Sequence, residues 1–180
     1  MKDLSMHILD IAQNSTSANA DLIEIQIIEK KIDNLLQIVI KDNGKGMSEE
    51  LASKVLDPFV TTRTTRKVGL GLPLFKQNAE RTGGQFNLKS EIGKGTVVEA
   101  RFVLNNIDCL PLGDIGGVVV LLATCNPGID FIYQHVTDSG EYVFDTLEVK
   151  SVLEDTPIND IKIVTYLKEL IYENLMEIRR

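Results

Sequence analysis

Apolar positions recur along this chain in two periods, and the switches between them mark its elements. From Leu4 to Ala20, residues Leu4, Ile8, Ile11 and Ala12 repeat at spacings of three and four. His7, Asp10 and Asn14 recur on another face, so the segment predicts a helix. The period then falls to two. Asp21 to Glu29 alternates Ile23, Ile25 and Ile27 against Leu22, Glu24 and Gln26, the pattern of a half-buried strand, and Asn34 to Lys41 is its expected antiparallel neighbour. A short helix is predicted over Glu49 to Leu56, halted at Asp57 because the residue before a proline disfavours helical backbone. Thr61 to Lys67 reads as a polar loop. A second long helix is expected from Gly71 to Arg81, with Pro73 tolerated in its first turn and Gly83-Gly84 ending it. Gln85 to Glu91 and Thr96 to Leu104 then form a strand pair across Ile92-Gly93-Lys94-Gly95.

Asn105-Asn106-Ile107-Asp108 marks a boundary, dividing the chain into residues 1–105 and a C-terminal α+β extension over 106–180. Within the extension, Pro111 to Thr124 predicts a helix, weakened by Gly116-Gly117 and the valines after it. Phe131 to His135 and Tyr142 to Phe144 suggest a hairpin around Asp138-Ser139-Gly140. Asn159 to Ile178 carries Ile161, Val164, Leu167, Ile171 and Leu175 on one helical face.

Composition narrows this picture. With 180 residues of which 43% are hydrophobic, the chain can bury one good core, or one domain plus an extension. A formal charge of -7 argues against a nucleic-acid or membrane-surface binder, either of which needs a basic face. Cys109 and Cys125 lack metal-ligand spacing and read as reduced thiols. No signal-peptide core follows Met1, and the apolar run Ile115 to Ala123 is too short to span a bilayer, so a soluble cytoplasmic protein is expected.

The chemistry concentrates in Asp42-Asn43-Gly44-Lys45-Gly46-Met47, which follows directly on the second strand pattern. An Asn-Gly hairpin would share this signature, but Ser48 to Leu56 shows a helical start and period with no returning strand. A carboxylate at a strand end can accept from an adenine amine, and glycines beside it let backbone approach a flat ligand. Asn14 offers a side-chain carbonyl suited to Mg²⁺, although a solvated helix asparagine looks the same in sequence. Arg63, Arg66 and Lys67 form a cationic island just before Gly69, where phosphate charge would be met. Gly69 and Gly71 open a helix, whose first amides suit an anion. Thr96 offers a hydroxyl at a strand start.

In order, Asn14, Asp42-x-Gly44-x-Gly46, Phe59 with Thr61-Thr62, Gly69-x-Gly71 and Gly93-x-Gly95-Thr96 resemble the motifs of one ATP-binding superfamily, that of gyrase, the heat-shock chaperone, histidine kinases and MutL (GHKL). The resemblance covers about Leu4 to Leu104. It implies a two-layer α/β sandwich (the histidine-kinase-like ATPase fold), an Mg·ATP site between helices and sheet, and a lid over Val60 to Val68. By that resemblance Asn14 would hold Mg²⁺, Asp42 and Thr96 would read adenine, and Gly44, Gly46, Gly69 and Gly71 would shape the pocket. Met47, Phe59, Thr62, Leu70 and Leu72 would complete the nucleotide contacts, with Arg63, Arg66 and Lys67 facing the phosphates. Gly69-Leu70-Gly71-Leu72 and the closing Gly-Lys-Gly-Thr look most like the histidine-kinase branch.

Asp10 stands one helical turn before Asn14. There the gyrase and MutL branches carry a water-activating glutamate, and anti-sigma-factor serine kinases and mitochondrial dehydrogenase kinases an acidic residue. Asp10 is one methylene shorter than glutamate, and many histidine kinases have asparagine at that place. The expected function is a stand-alone, histidine-kinase-like protein that transfers the γ-phosphate of ATP to a protein partner. The alternatives are an ATP-gated interaction module with little turnover and a slow ATPase. His7 reads as a helix residue near the pocket rim rather than a phosphoacceptor. With only six residues before it, the chain is not expected to be a complete two-component sensor by itself. His135 reads as structural.

Overall fold

The computed structural model describes residues 1–57 and 70–180. Those residues form a six-stranded sheet whose order is β3-β4-β2-β1-β5-β6. The strands are β1 (Leu22–Lys30), β2 (Leu35–Asp42), β3 (Gln85–Glu91), β4 (Gly95–Val103), β5 (Asp130–Thr137) and β6 (Glu141–Asp145). The helices are α1 (Leu4–Ser17), α2 (Glu49–Lys54), α3 (Gly71–Arg81), α4 (Ile115–Cys125), α5 (Thr146–Leu153) and α6 (Ile161–Ile178). Every strand pairing is antiparallel except β1 with β5. A parallel neighbour needs a long crossover, and the segment through α4 supplies it.

Register explains the two layers. Ile25 pairs with Ile40 and Tyr133, and Ile40 pairs with Val98, so the buried alternate residues of four strands share one face. On that face α3, α1, α4 and α6 lie side by side, each packed on its neighbour in that order or on the strands beneath. The opposite face is a polar ladder. Glu24 and Lys41 form an ion pair at 2.5 Å, Gln26 bonds Gln134 at 2.7 Å, and Gln37 bonds Glu99 at 3.1 Å. This is the expected two-layer α/β sandwich, with β5 and β6 extending the same sheet past β1.

Helix ends follow local chemistry. Asp3 caps α1 by accepting from the Met6 amide at 3.0 Å, and the helix stops at Ser17, three residues before the expected Ala20, because Asn19 takes a left-handed conformation (φ 57°). The α4 helix begins at Ile115 rather than Pro111. Asp114 caps it, while the Pro111 and Leu112 carbonyls accept from the amides of Leu4 and Ser5. The α5 helix was not foreseen; it starts where Asp145 caps the Leu147 amide at 2.8 Å.

A buried polar chain closes the far end of β1. Arg179 donates to Glu29 at 3.0 and 3.4 Å, His135 Nε2 lies 3.3 Å from Glu29, and the Tyr133 hydroxyl lies 2.7 Å from His135 Nδ1. Thr137 Oγ1 donates to the carbonyl of Ile178, so the end of α6 is hooked onto β1 and β5. His135 is thus structural, as expected.

Candidate functional site

Along β2 the buried series Leu36, Ile38, Ile40 ends in a carboxylate. Asp42 keeps the alternation, so it lands on the helix-facing side, 8% exposed. Its register partners carry the row sideways: Asp42 pairs with Thr96 on β4, and Thr96 with Ser90 on β3. Above it stands α1, whose buried positions Ile8, Ile11 and Ala12 continue to Ser15. The Ser15 hydroxyl donates to Asp42 Oδ2 at 2.6 Å, and the Gly44 amide donates to Oδ1 at 2.9 Å. Each carboxylate oxygen therefore holds one donor from the chain and keeps a lone pair.

That lone-pair surface faces a cavity of about 350 Å³, a size suited to a small-molecule ligand. Asn14, Asp42, Gly46, Met47, Leu72 and Thr96, all singled out in the sequence, line it together with Ile11, Ser15, Ile40, Leu51, Val55 and Val98. Ser17, Ala18 and Lys45 complete the lining, so it carries a cation as well as oxygens. The turn after Asp42 is held tightly. Gly46 sits at φ 65°, and a β-carbon there would lie 1.9 Å from the Glu91 carbonyl oxygen, so only glycine fits. Met47 then donates its amide to Ser90 Oγ at 2.8 Å. Ser48 caps the short α2, which presents Leu51 and Val55 to the cavity.

Asp10 and Gly71 meet beside this cavity rather than on its wall. A β-carbon at Gly71 would lie 1.8 Å from Asp10 Oδ2, so the carboxylate packs onto the first residue of α3. Leu70 is the N-cap residue of that helix. His7 is buried between α1 and α3, not at the pocket rim: its ring stacks on Phe75 at 5.6 Å, and Asn78 Nδ2 lies 2.9 Å from its Nε2. Burial holds its pKa below the ordinary histidine value. Gly44 stands behind Asp42 as its amide donor. Phe59, Thr62, Arg63, Arg66, Lys67 and Gly69, with the expected lid over Val60 to Val68, lie outside the described residues.

Two residues at the site had not been expected from sequence, Ser15 and Ser90. Both were detectable as polar residues on an apolar stripe. Ser15 falls a turn beyond Ile11, and Ser90 extends the inward series Phe86, Leu88. Among the described residues no group of three or more His, Cys, Asp or Glu could hold a metal ion. No helix among them is long and apolar enough to cross a membrane.

Comparison with known proteins accords with this geometry. The family model described as histidine kinase-, DNA gyrase B- and HSP90-like ATPase matches residues 2–106. Sporulation kinase D of Bacillus subtilis is 32% identical over 91 residues, covering 51% of this chain and 18% of that protein. A sensor protein of Staphylococcus aureus is 37% identical over 101 residues, covering 53% of this chain and 17% of its own. The chain thus spans less than a fifth of the length of these curated relatives. Among solved structures, the N-terminal domain of a DNA repair protein superposes with a TM-score of 0.56 at 17% identity, covering 79% of this chain and 52% of that one. The Aquifex aeolicus MutL ATPase domain complexed with ADP superposes with a TM-score of 0.50 at 15% identity, covering 86% and 70%. At these identities the structural likeness establishes the fold.

Proposed function

This chain belongs to the family of histidine kinase-, DNA gyrase B- and HSP90-like ATPases, and from that premise we propose that it binds Mg·ATP in the cavity between α1 and the sheet and transfers the γ-phosphate to a partner protein. One observation carries the nucleotide reading: a buried carboxylate, Asp42, is held by Ser15 and Gly44 with lone pairs facing a 350 Å³ cavity. Such an acceptor takes a hydrogen bond from the exocyclic amine at C6 of adenine, where guanine carries a carbonyl. Asn14, on the wall, brings a hard oxygen donor. That donor fits Mg²⁺, which takes oxygen ligands and keeps waters and phosphates in its shell. When bound, the ion would offset phosphate charge. Asn14→Ala should abolish the Mg²⁺ dependence of triphosphate binding and leave metal-free ADP binding intact, as a calorimetric Mg²⁺ titration would show.

In transfer, a nucleophilic atom of the partner forms a bond to the γ-phosphorus. The bond to the bridging oxygen breaks, and its electron pair leaves with ADP. Asp10, one turn before Asn14 on α1, takes the proton of an acceptor hydroxyl. A second reading has its own support: the Asp10 carboxylate packs on Gly71 instead of lining the cavity, as in a module that ATP orders with little turnover. Incubation with γ-labelled ATP and native cell extract separates the two. A labelled partner band that falls by about 10²–10⁴ in rate in Asp10→Asn, with ATP affinity retained, is the expected result. No labelled band under any condition would favour the gated module, and a band of equal strength in both proteins would remove Asp10 as a base.

A further inference from the structure

A second hollow lies across α2 from the nucleotide cavity. It measures about 740 Å³ against 350 Å³ at Asp42, opens to solvent, and runs between α2 and β3 over an apolar floor of Met47, Ala52, Leu56 and Leu88. β3 ends the sheet. It pairs with β4, and among the described residues no backbone group bonds its other edge. A free edge seven residues long presents unpaired amides and carbonyls in alternation, and the group that satisfies them together is another extended strand. Side chains on β3 alternate as well. Phe86, Leu88 and Ser90 are half-buried on the helix side, while Lys89 stands exposed on the other face. Its neighbour on β4 is Val97, and among the described residues Lys89 enters no ion pair. Glu91, by contrast, is already paired with Lys94 at 2.7 Å. The edge therefore has one unanswered charge, and it is positive. A second copy's β3, paired antiparallel over its full length, would set Lys89 opposite Asn87 and leave both lysines without a carboxylate.

We propose that the groove between α2 and β3 docks an extended segment of a protein partner, added to the β3 edge as a further strand, with apolar side chains toward α2 and Leu88 and a carboxylate opposite Lys89. The wall it docks on is shared with the nucleotide cavity. Leu51 and Val55 line that cavity, whereas Ala52 and Leu56, each one position on, line the groove, as successive helical positions point about 100° apart. Met47 lines both hollows. No residue of α2 is buried, so the helix stands between the two hollows without an anchor in the core. A ligand packed on Leu51 and Val55 fixes α2, which leaves less to be ordered when a strand docks on Ala52 and Leu56, and the coupling is reciprocal. Docking itself stands without the nucleotide reading above; the coupling rests on it.

The probe is a labelled synthetic peptide as long as β3, alternating valine with threonine and carrying aspartate at its centre. One companion has lysine in place of the aspartate, and another has proline in place of the two valines beside it, which removes ladder donors. Fluorescence anisotropy should show the aspartate peptide binding about fivefold more tightly than the lysine peptide, with amide exchange slowed over Gln85 to Glu91. The proline peptide should not bind. Lys89→Glu should reverse the preference between aspartate and lysine. Ala52→Arg should fill the groove and abolish peptide binding with ATP affinity unchanged, since Ala52 is not on the wall of the nucleotide cavity. Saturating Mg·ATP should tighten the aspartate peptide about fivefold. A proline peptide that binds as well, no peptide bound, or no reversal in Lys89→Glu overturns strand docking at this edge. So does a wild type that sediments as a dimer and becomes monomeric in Ala52→Arg, which would give the groove to a second copy. Peptide affinity unmoved by ATP that is itself bound overturns the coupling. A protein that binds the peptides but not ATP overturns the nucleotide reading and leaves the docking surface standing.

Discussion

The inner face of the sheet carries a buried carboxylate at each end, and the two are equally hidden. Asp42 and Glu29 are both 8% exposed. Their surroundings differ in what is left over. Glu29 accepts from Nε and Nη2 of Arg179 and from His135, which in turn meets Tyr133, and the end of α6 closes over them. Asp42 has one hydroxyl, one amide and a cavity. Burial alone thus says little about role. A carboxylate whose acceptor capacity the chain has filled is a fastening; one whose capacity is half filled beside a hollow is a binding group. The contrast also explains the charge partners. A guanidinium offsets the desolvation of Glu29 permanently, whereas hydroxyl and amide donors at Asp42 leave room for a ligand.

Exchange of phenotypes between the two ends would break this contrast. The largest effect is expected at the filled end. Glu29→Ala leaves His135 buried without its partner and should cost about 2–4 kcal/mol of stability, tempered because Arg179 can rehydrate. ATP affinity should hold, as denaturant unfolding and calorimetry on one preparation would show. At the hollow end, Asp42→Ala should do the reverse, losing about 1.5–3 kcal/mol of ATP binding, tenfold or more in affinity. Its stability should change little, since Ser15 and Gly44 can turn to water in the cavity. Comparable loss of ATP affinity in both variants would erase the distinction. A smaller change sharpens it: Tyr133→Phe removes a single neutral hydrogen bond from the chain around Glu29 and should cost about 1 kcal/mol.

Acid separates the ends as well. The hydrogen bond from His135, helped by Arg179 and opposed by burial, draws the Glu29 carboxyl down to about 2 from an ordinary value of 4.5. Because the folded value lies below the unfolded one, the contribution is fully present above pH 4.5 and is lost as the pH falls from there to about 2. Glu29→Gln should flatten the dependence of unfolding free energy on pH across that window. An unaltered slope would show that Glu29 carries no such linkage.

Much of this was readable from residue order, and the failures have physical causes. The strand alternation at Ile23, Ile25 and Ile27 and the α3 limits at Gly71 and Arg81 were legible because the signals are local: a period, a proline in a first turn, a glycine pair at the end. Helix α5 was missed because its stripe is short: only Thr146 is fully buried, with Val149 and Leu153 half-buried against the core. The parallel landing of β5 beside β1 depends on a crossover, which periodicity does not encode. At the site, Asp42 was visible through its glycines. Ser15 was visible only as a polar residue on the apolar stripe of α1, and its role was not, since its partner lies 27 positions away. His7 was placed at the rim because its helical phase alone could not show that Phe75 and Asn78 would cover it.

The pairing of β1 with β5 has a consequence for how the chain is made. Leu22 meets Asp130, so more than 100 residues separate strands that lie side by side, while β1 and β2 are joined by a tight hairpin. Contacts of such separation form slowly. During synthesis the strands up to β4 emerge before β5 exists, and until it arrives one edge of β1 is an unfilled template with Ile23, Ile25 and Ile27 beside it. An open strand edge of that composition recruits other chains. Nascent chains stalled between β4 and β5 should therefore depend on chaperones more than the finished protein does, and arrival of β5 is the step that makes the product safe from aggregation.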